Sequence, residues 1–122
     1  MSTPHLADLH GPALAAAFAS EVLNLSLVTH VGESSGHRYV FERHGERELP
    51  LLPYERDLRE AMRATEALPG SVLILMQTPH AVKPWFASFK HPDGRQGEAF
   101  GETHAEAVCR AGLAYARAGG RL

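Results

Sequence analysis

The spacing of apolar positions predicts helices and strands in the order α-β-β-α-β-β-β-α. Over residues 12–23, Leu14, Phe18 and Val22 recur at helical spacing with Leu25 beyond, Pro12 suits the first turn and Asn24 is the stop residue. Residues 25–30 then alternate as a strand. Gly32 to Gly36 is a turn or a mobile loop, and residues 38–43 form a second strand with Tyr39 and Phe41 on one face and Val40 on the other. Residues 43–48 are polar, and 49–53 read as an extended connector on the core surface, because Pro50 and Pro53 forbid helix there.

The strongest helical period covers residues 54–68. Tyr54, Leu58, Ala61, Met62, Thr65 and Leu68 share its apolar face, while Glu55, Arg56, Arg59, Glu60, Arg63 and Glu66 occupy the other. Glu55 and Arg59, and Arg56 and Glu60, stand four apart as candidate ion pairs. Pro69 and Gly70 end the helix. Residues 71–77 are apolar on both faces, which predicts a central strand covered on two sides. Residues 85–90 set Trp85, Ala87 and Phe89 against Phe86 and Ser88, and Pro92-Asp93-Gly94 turns the chain into an antiparallel edge strand over 95–100. Thr103 caps a last helix, Glu106 would complete a capping box, and Gly119 and Gly120 end it. Ala105, Val108, Cys109, Gly112 and Ala116 share a face of small residues that would lie closely on a sheet, so bulk at Gly112 is expected to be poorly tolerated. The resulting expectation is an α/β fold: a three-layer α/β/α sandwich with a largely antiparallel sheet, in a single domain over 1–122 whose first residues, 1–11, are frayed.

Composition narrows the function classes. The 122 residues are 44% hydrophobic and 21% charged with a net charge of -2, which argues against disorder and offers no electrostatic case for nucleic acid or membrane surfaces. With no charged leader and no long apolar run, the protein is expected to be cytoplasmic. Arginine outnumbers lysine ten to two, a bias expected of a GC-rich bacterial genome. Cys109 is the single cysteine, so an intrachain disulfide and a cysteine-based zinc site are excluded, and it reads as a small buried hydrophobe.

None of the candidate chemistry forms a recognised constellation. The histidines, His5, His10, His30, His37, His44, His80, His91 and His104, fall at loops and element ends without ligand spacing. Ser34, Ser35 and His37 lie in a glycine-flanked loop without a nucleophile elbow. Gly32 and Gly36 make no phosphate loop, Glu46 and Glu48 sit beside Arg43 and Arg47 in a solvated linker, and the stripe of Arg56, Arg59 and Arg63 is interrupted by Glu55, Glu60 and Glu66. The reading is therefore no enzyme, with no catalytic residues, no cofactor and no metal. Tyr39, Phe41, Trp85 and Phe86 are the candidate interaction surface, for a protein partner of phage or host origin or a second copy of the chain. Single-stranded nucleic acid is disfavoured there because Lys90 is the lone basic residue on the strand of Trp85 and Phe86, so those aromatics read as core packing.

Residues 16–25, 52–61, Trp85-Phe-Ala-Ser-Phe89 and above all the tail 101–113 resemble the phage ABA-sandwich domain, a family of small, mostly uncharacterised phage and prophage proteins. That family usually has Tyr-Ser-Thr-Asp where this chain has Tyr54-Glu-Arg-Asp57, and Ile at the position of Val108. The resemblance implies an α/β/α sandwich and no assigned activity. Gly101, Thr103, Glu106 and Ala107 also resemble a signature of HicB-type antitoxins, which implies an alternative role as an antitoxin or nucleic-acid-linked binding module. Double-stranded RNA-binding domains share the strand-then-helix ending, but their lysine-rich helix start is replaced here by Thr103-His104-Ala105-Glu106.

Overall fold

The first helix, α1 (Gly11–Ala17), runs on into a wider π-helical turn over Phe18–Val22. Its face of Leu14, Phe18 and Val22 is buried, as the spacing predicts. Asn24 ends it with φ of 58°, the one positive φ outside glycine among the described residues, while the Leu25 amide donates back to the Ala19 carbonyl at 2.9 Å. These contacts come from a computed structural model that describes residues 5–79 and 81–120.

Two antiparallel three-stranded sheets follow, β1-β2-β3 and β4-β5-β6. The first comprises β1 (Ser26–Val31), β2 (Arg38–His44) and β3 (Arg47–Pro50). The segment expected to be polar linker and connector thus contains an additional strand. Gly45, with φ of 64°, supplies the left-handed residue of the tight loop that pairs His44 with Arg47 and returns the chain along β2. The second sheet holds β4 (Val72–Gln77), β5 (Trp85–Lys90) and β6 (Gln96–Gly101), with β6 at an edge as expected.

The period over 54–68 overstates a continuous helix. Tyr54 to Arg56 form a turn, Asp57 caps α2 (Leu58–Ala61) by accepting the Glu60 amide at 3.4 Å, and α3 (Ala64–Ala67) begins after a break. At that break the Arg63, Thr65 and Glu66 amides each donate three residues back, tightening the turn. Leu68 and Ala64 go inward while Met62 and Thr65 stay exposed. Because Glu55 and Arg56 both precede the helix, neither expected ion pair forms among the described residues; Arg63 instead reaches Glu60 at 3.4 Å.

α4 (His104–Tyr115), prolonged by Ala116–Gly120, is the centre of the molecule and is buried almost all round. It packs against β5 and β6 on one side and against α1, its π turn and α2 on the other. Thr103 caps it by accepting the Glu106 amide at 3.2 Å, but the Glu106 carboxylate turns to Arg110 at 2.7 Å, so the capping box is half made. Gly119, with φ of 88°, terminates the extension.

The close helix–sheet contact is made by different residues from those expected. A Cβ on Gly97 would stand 2.6 Å from the Tyr115 Cα and 2.7 Å from the Ala111 carbonyl oxygen, and one on Gly101 would stand 2.5 Å from the Ala107 amide nitrogen. The stripe Ala107, Ala111, Tyr115 therefore rides on two sheet glycines. A Cβ on Gly112 meets only ordinary contacts, Phe18 and Phe89 at 3.6 Å and Ala64 at 3.7 Å. Gly112→Ala is thus expected to be neutral or to stabilise by up to about 1 kcal/mol through helix propensity, measured by urea unfolding, whereas Gly112→Leu must displace those side chains.

Two further expectations are corrected. β4 is an edge strand, and Val72, Ile74 and Met76 are exposed on the face away from α4. Residues 5–11 are also anchored and not frayed: Leu6–Asp8 form a 3₁₀ turn, Leu9 is buried, and its carbonyl accepts Arg110 Nη2 at 3.0 Å. Residues 1–4 lie outside the described residues.

Candidate functional site

The second sheet presents two unlike faces, and register decides which residue lies on which. Leu73, Leu75, Ala87, Phe89, Ala99 and Trp85 face α4. On the opposite face, Met76 stands beside Phe86 and Phe86 beside Phe100, Ile74 lies in a row with Ser88 and Glu98, and Val72 in a row with Lys90 and Gln96. Phe86 and Phe100 pack with ring centroids 5.0 Å apart, and Ile74, Met76 and Phe100 are each more than 40% exposed. This gives an apolar patch concentrated at one end of the sheet, next to the free edge of β4.

The expected surface of Tyr39, Phe41, Trp85 and Phe86 is distributed differently. Tyr39 and Phe41 lie on the outer face of the first sheet, where His30 touches the Phe41 ring at 5.2 Å and Tyr39 is 51% exposed. Trp85 lies on the α4 side of the second sheet with its ring 5.3 Å from His104. Phe86 alone of the four belongs to the open apolar face. Ile74 and Met76 lie in an apolar run that reads as buried from the sequence.

A second region is a cleft of about 550 Å³ between the start of α1, the start of α4 and the segment around Leu51–Arg56. Leu51, Leu52, Pro12 and Ala15 supply apolar wall, and Glu55, Arg56, Glu102 and Glu106 supply charge. Behind it Arg110, 4% exposed, donates to the Leu9 carbonyl, to His10 Nδ1 at 3.0 Å and to Glu106. Accepting at Nδ1 leaves His10 with its proton on Nε2 in the neutral form.

A third polar cluster ties the first sheet to the core. Glu42 is fully buried and accepts from the Leu52 amide at 3.0 Å and the Tyr54 hydroxyl at 2.6 Å, with His44 Nε2 at 2.9 Å. Burial pushes this carboxyl up, but the bonds from Leu52, Tyr54 and His44 outweigh it and hold it below the usual carboxylate range. Burial and the adjacent Glu42 push the Tyr54 phenol far up, so it remains a donor. Arg63 completes the cluster, its Nη1 3.3 Å from the Tyr54 oxygen and its guanidinium 5.8 Å from the ring centroid. The alternation Val40, Glu42, His44 carried the signal that Glu42 faces inward.

The remaining candidates stay apart. His30 pairs with Glu48 at 2.6 Å, and His91 with Asp93 at 3.0 Å. His80 lies outside the described residues. Among the described residues no three of His, Cys, Asp and Glu converge where they would hold a metal ion. Ser35 Oγ accepts the His37 backbone amide at 3.2 Å. Cys109 is buried, and burial with Glu55 and Glu106 pushes its thiol well up, the reverse of an activated nucleophile.

This arrangement defines a small mixed α/β protein with two antiparallel sheets and a central buried helix. A phage protein from Bacillus cereus is similar to it in structure, with a TM-score of 0.67 over 94% of this chain and 99% of that one, at 16% identity. At that identity the likeness is one of fold. No protein-family model matches the chain, and no curated protein matches it in sequence. Among the described residues no helix is long and apolar enough to cross a membrane.

Proposed function

We propose that this chain is a cytoplasmic, non-catalytic interaction module of phage or prophage type, working through the open face of its second sheet. The observation that carries the reading is the contiguous patch of Ile74, Met76, Phe86 and Phe100 beside an unpaired edge strand. Residues 72–77 contain no charge and no proline, the devices that normally keep an edge from pairing. An apolar helix or sheet face on a partner protein, or on a second copy, would supply over this sheet the layer that an α/β/α sandwich requires. We propose kinship with the ABA-sandwich family as part of this reading, supported by the fold shared with a phage protein and by the resemblance of residues 16–25, 52–61, 85–89 and 101–113.

The test is a tagged pull-down from the native host, run beside Ile74→Lys and combined with light scattering of the purified protein. Because Ile74 is 44% exposed, the variant is expected to melt within a few degrees of the wild type. Loss of a stoichiometric partner, or of a dimer, in that variant would support the reading; retention of the same complex would reject this face. The HicB-type alternative rests on Gly101, Thr103, Glu106 and Ala107. Gly101 admits Ala107 and Thr103 caps Glu106, so that signature has a packing reason here and needs no toxin or nucleic acid to explain it.

A further inference from the structure

Glu55 is 6% exposed, yet its carboxylate has no hydrogen bond and no ion pair among the described residues. It lines the cleft, which is the side from which a further group could reach it. A carboxylate this nearly buried, with no donor from its own chain, is where a cationic group from outside would gain most. From this we infer that the cleft is a binding site for a guanidinium or ammonium group on a short aliphatic stem, with Glu55 as its buried counter-ion.

The charges on the wall favour a cation over an anion. Glu106 is already neutralised by Arg110 at 2.7 Å, Thr103 Oγ1 is used by the helix cap, and His10 Nδ1 is used by Arg110. That leaves Glu55 inside and Glu102 at the exposed rim against one cation, the exposed Arg56. Leu51, Leu52, Pro12 and Pro53 offer an apolar lining for the methylene stem, as long cationic side chains prefer. The volume of about 550 Å³ leaves ample room for such a group. The cleft lies on the helical side of the second sheet, so this site is independent of the open apolar face.

The ligand chemistry has two sources, a free small cation or an arginine or lysine side chain of a protein. Titrating full-length protein with n-butylguanidinium, and separately with an acetylated and amidated Ala-Arg-Ala peptide, while following amide NMR shifts, separates them. Saturable shifts at Leu52, Glu55 and Thr103 are expected with at least one probe. Binding of the free cation alone assigns a small molecule; binding of the peptide assigns a side chain. Glu55→Gln is expected to weaken binding about tenfold, and Arg56→Ala, at an exposed position, to tighten it a few-fold by removing the competing cation. The melting curve of Glu55→Gln verifies that it is folded. No binding by the wild type, equal binding by Glu55→Gln, or loss of binding in Arg56→Ala would each overturn the inference. Ile74→Lys should leave these titrations unchanged, so failure here and failure of the sheet-face reading are separable.

Discussion

Gly97→Ala is expected to destabilise the protein by about 3 kcal/mol, the upper range for overpacking, and Gly97→Val by more. A single methyl at this position would collide with the backbone of Tyr115 and with the Ala111 carbonyl, which cannot swing aside as a side chain would. Relief requires α4 to lift off β6, and α4 is the element against which both the sheet and the other helices pack. The loss therefore spreads through contacts to Phe18, Phe89 and Leu113 in one core cluster. Thermal melting should fall by roughly 10 °C for alanine. Gly101→Ala should follow in the same direction, since its Cβ would sit 2.9 Å from the Thr103 carbonyl and 2.5 Å from the Ala107 amide nitrogen. A Gly97→Ala protein that melts with the wild type would show that the sheet and α4 are not in this contact.

Glu42→Ala should cost a similar amount, about 3 kcal/mol or more, for a different reason. It leaves the buried Tyr54 hydroxyl and the half-buried Leu52 amide without their acceptor and opens a void beside them. In a double-mutant cycle, Tyr54→Phe should be markedly less harmful when Glu42 is already alanine. The same carboxylate sets an acid dependence. Its folded value lies below its unfolded value, so its contribution is complete above the usual carboxylate range and is lost as pH falls through the folded value. Wild-type stability should therefore decline from about pH 4 downward, and Glu42→Gln should remove part of that slope while lowering stability at pH 7. Urea unfolding at pH 7, 4 and 3 reads both effects, and parallel slopes in the two proteins would assign the acid sensitivity elsewhere.

Several parts of the molecule were legible because they obey short-range rules. The buried stripe of Leu14, Phe18 and Val22, the left-handed stop at Asn24, the alternation of β5, the turn at Gly94 and the Thr103 cap each depend on residues within about one helical turn or one strand pair. Glu55 shows the boundary of such reasoning. The helical period assigned it to the solvent face of a helix, but Asp57 starts the helix later, and the preceding turn carries Glu55 into the cleft. Likewise the extended segment at 47–50 gained a partner strand through the tight turn at Gly45, which a reading by prolines had made a connector.

By itself the sequence determined which residues share a face and where helices and strands begin or turn, since those follow from backbone sterics, capping and local periodicity. Tertiary structure alone decided what covers each face. The apolar run 72–77 is equally compatible with a central strand and with an open edge, and only the strand order made it the edge. The same holds for the glycines: a missing Cβ is neutral until a helix lies over it, which occurs at Gly97 and Gly101 and leaves ordinary room at Gly112. Periodicity is a property of one segment, whereas burial is a relation between two.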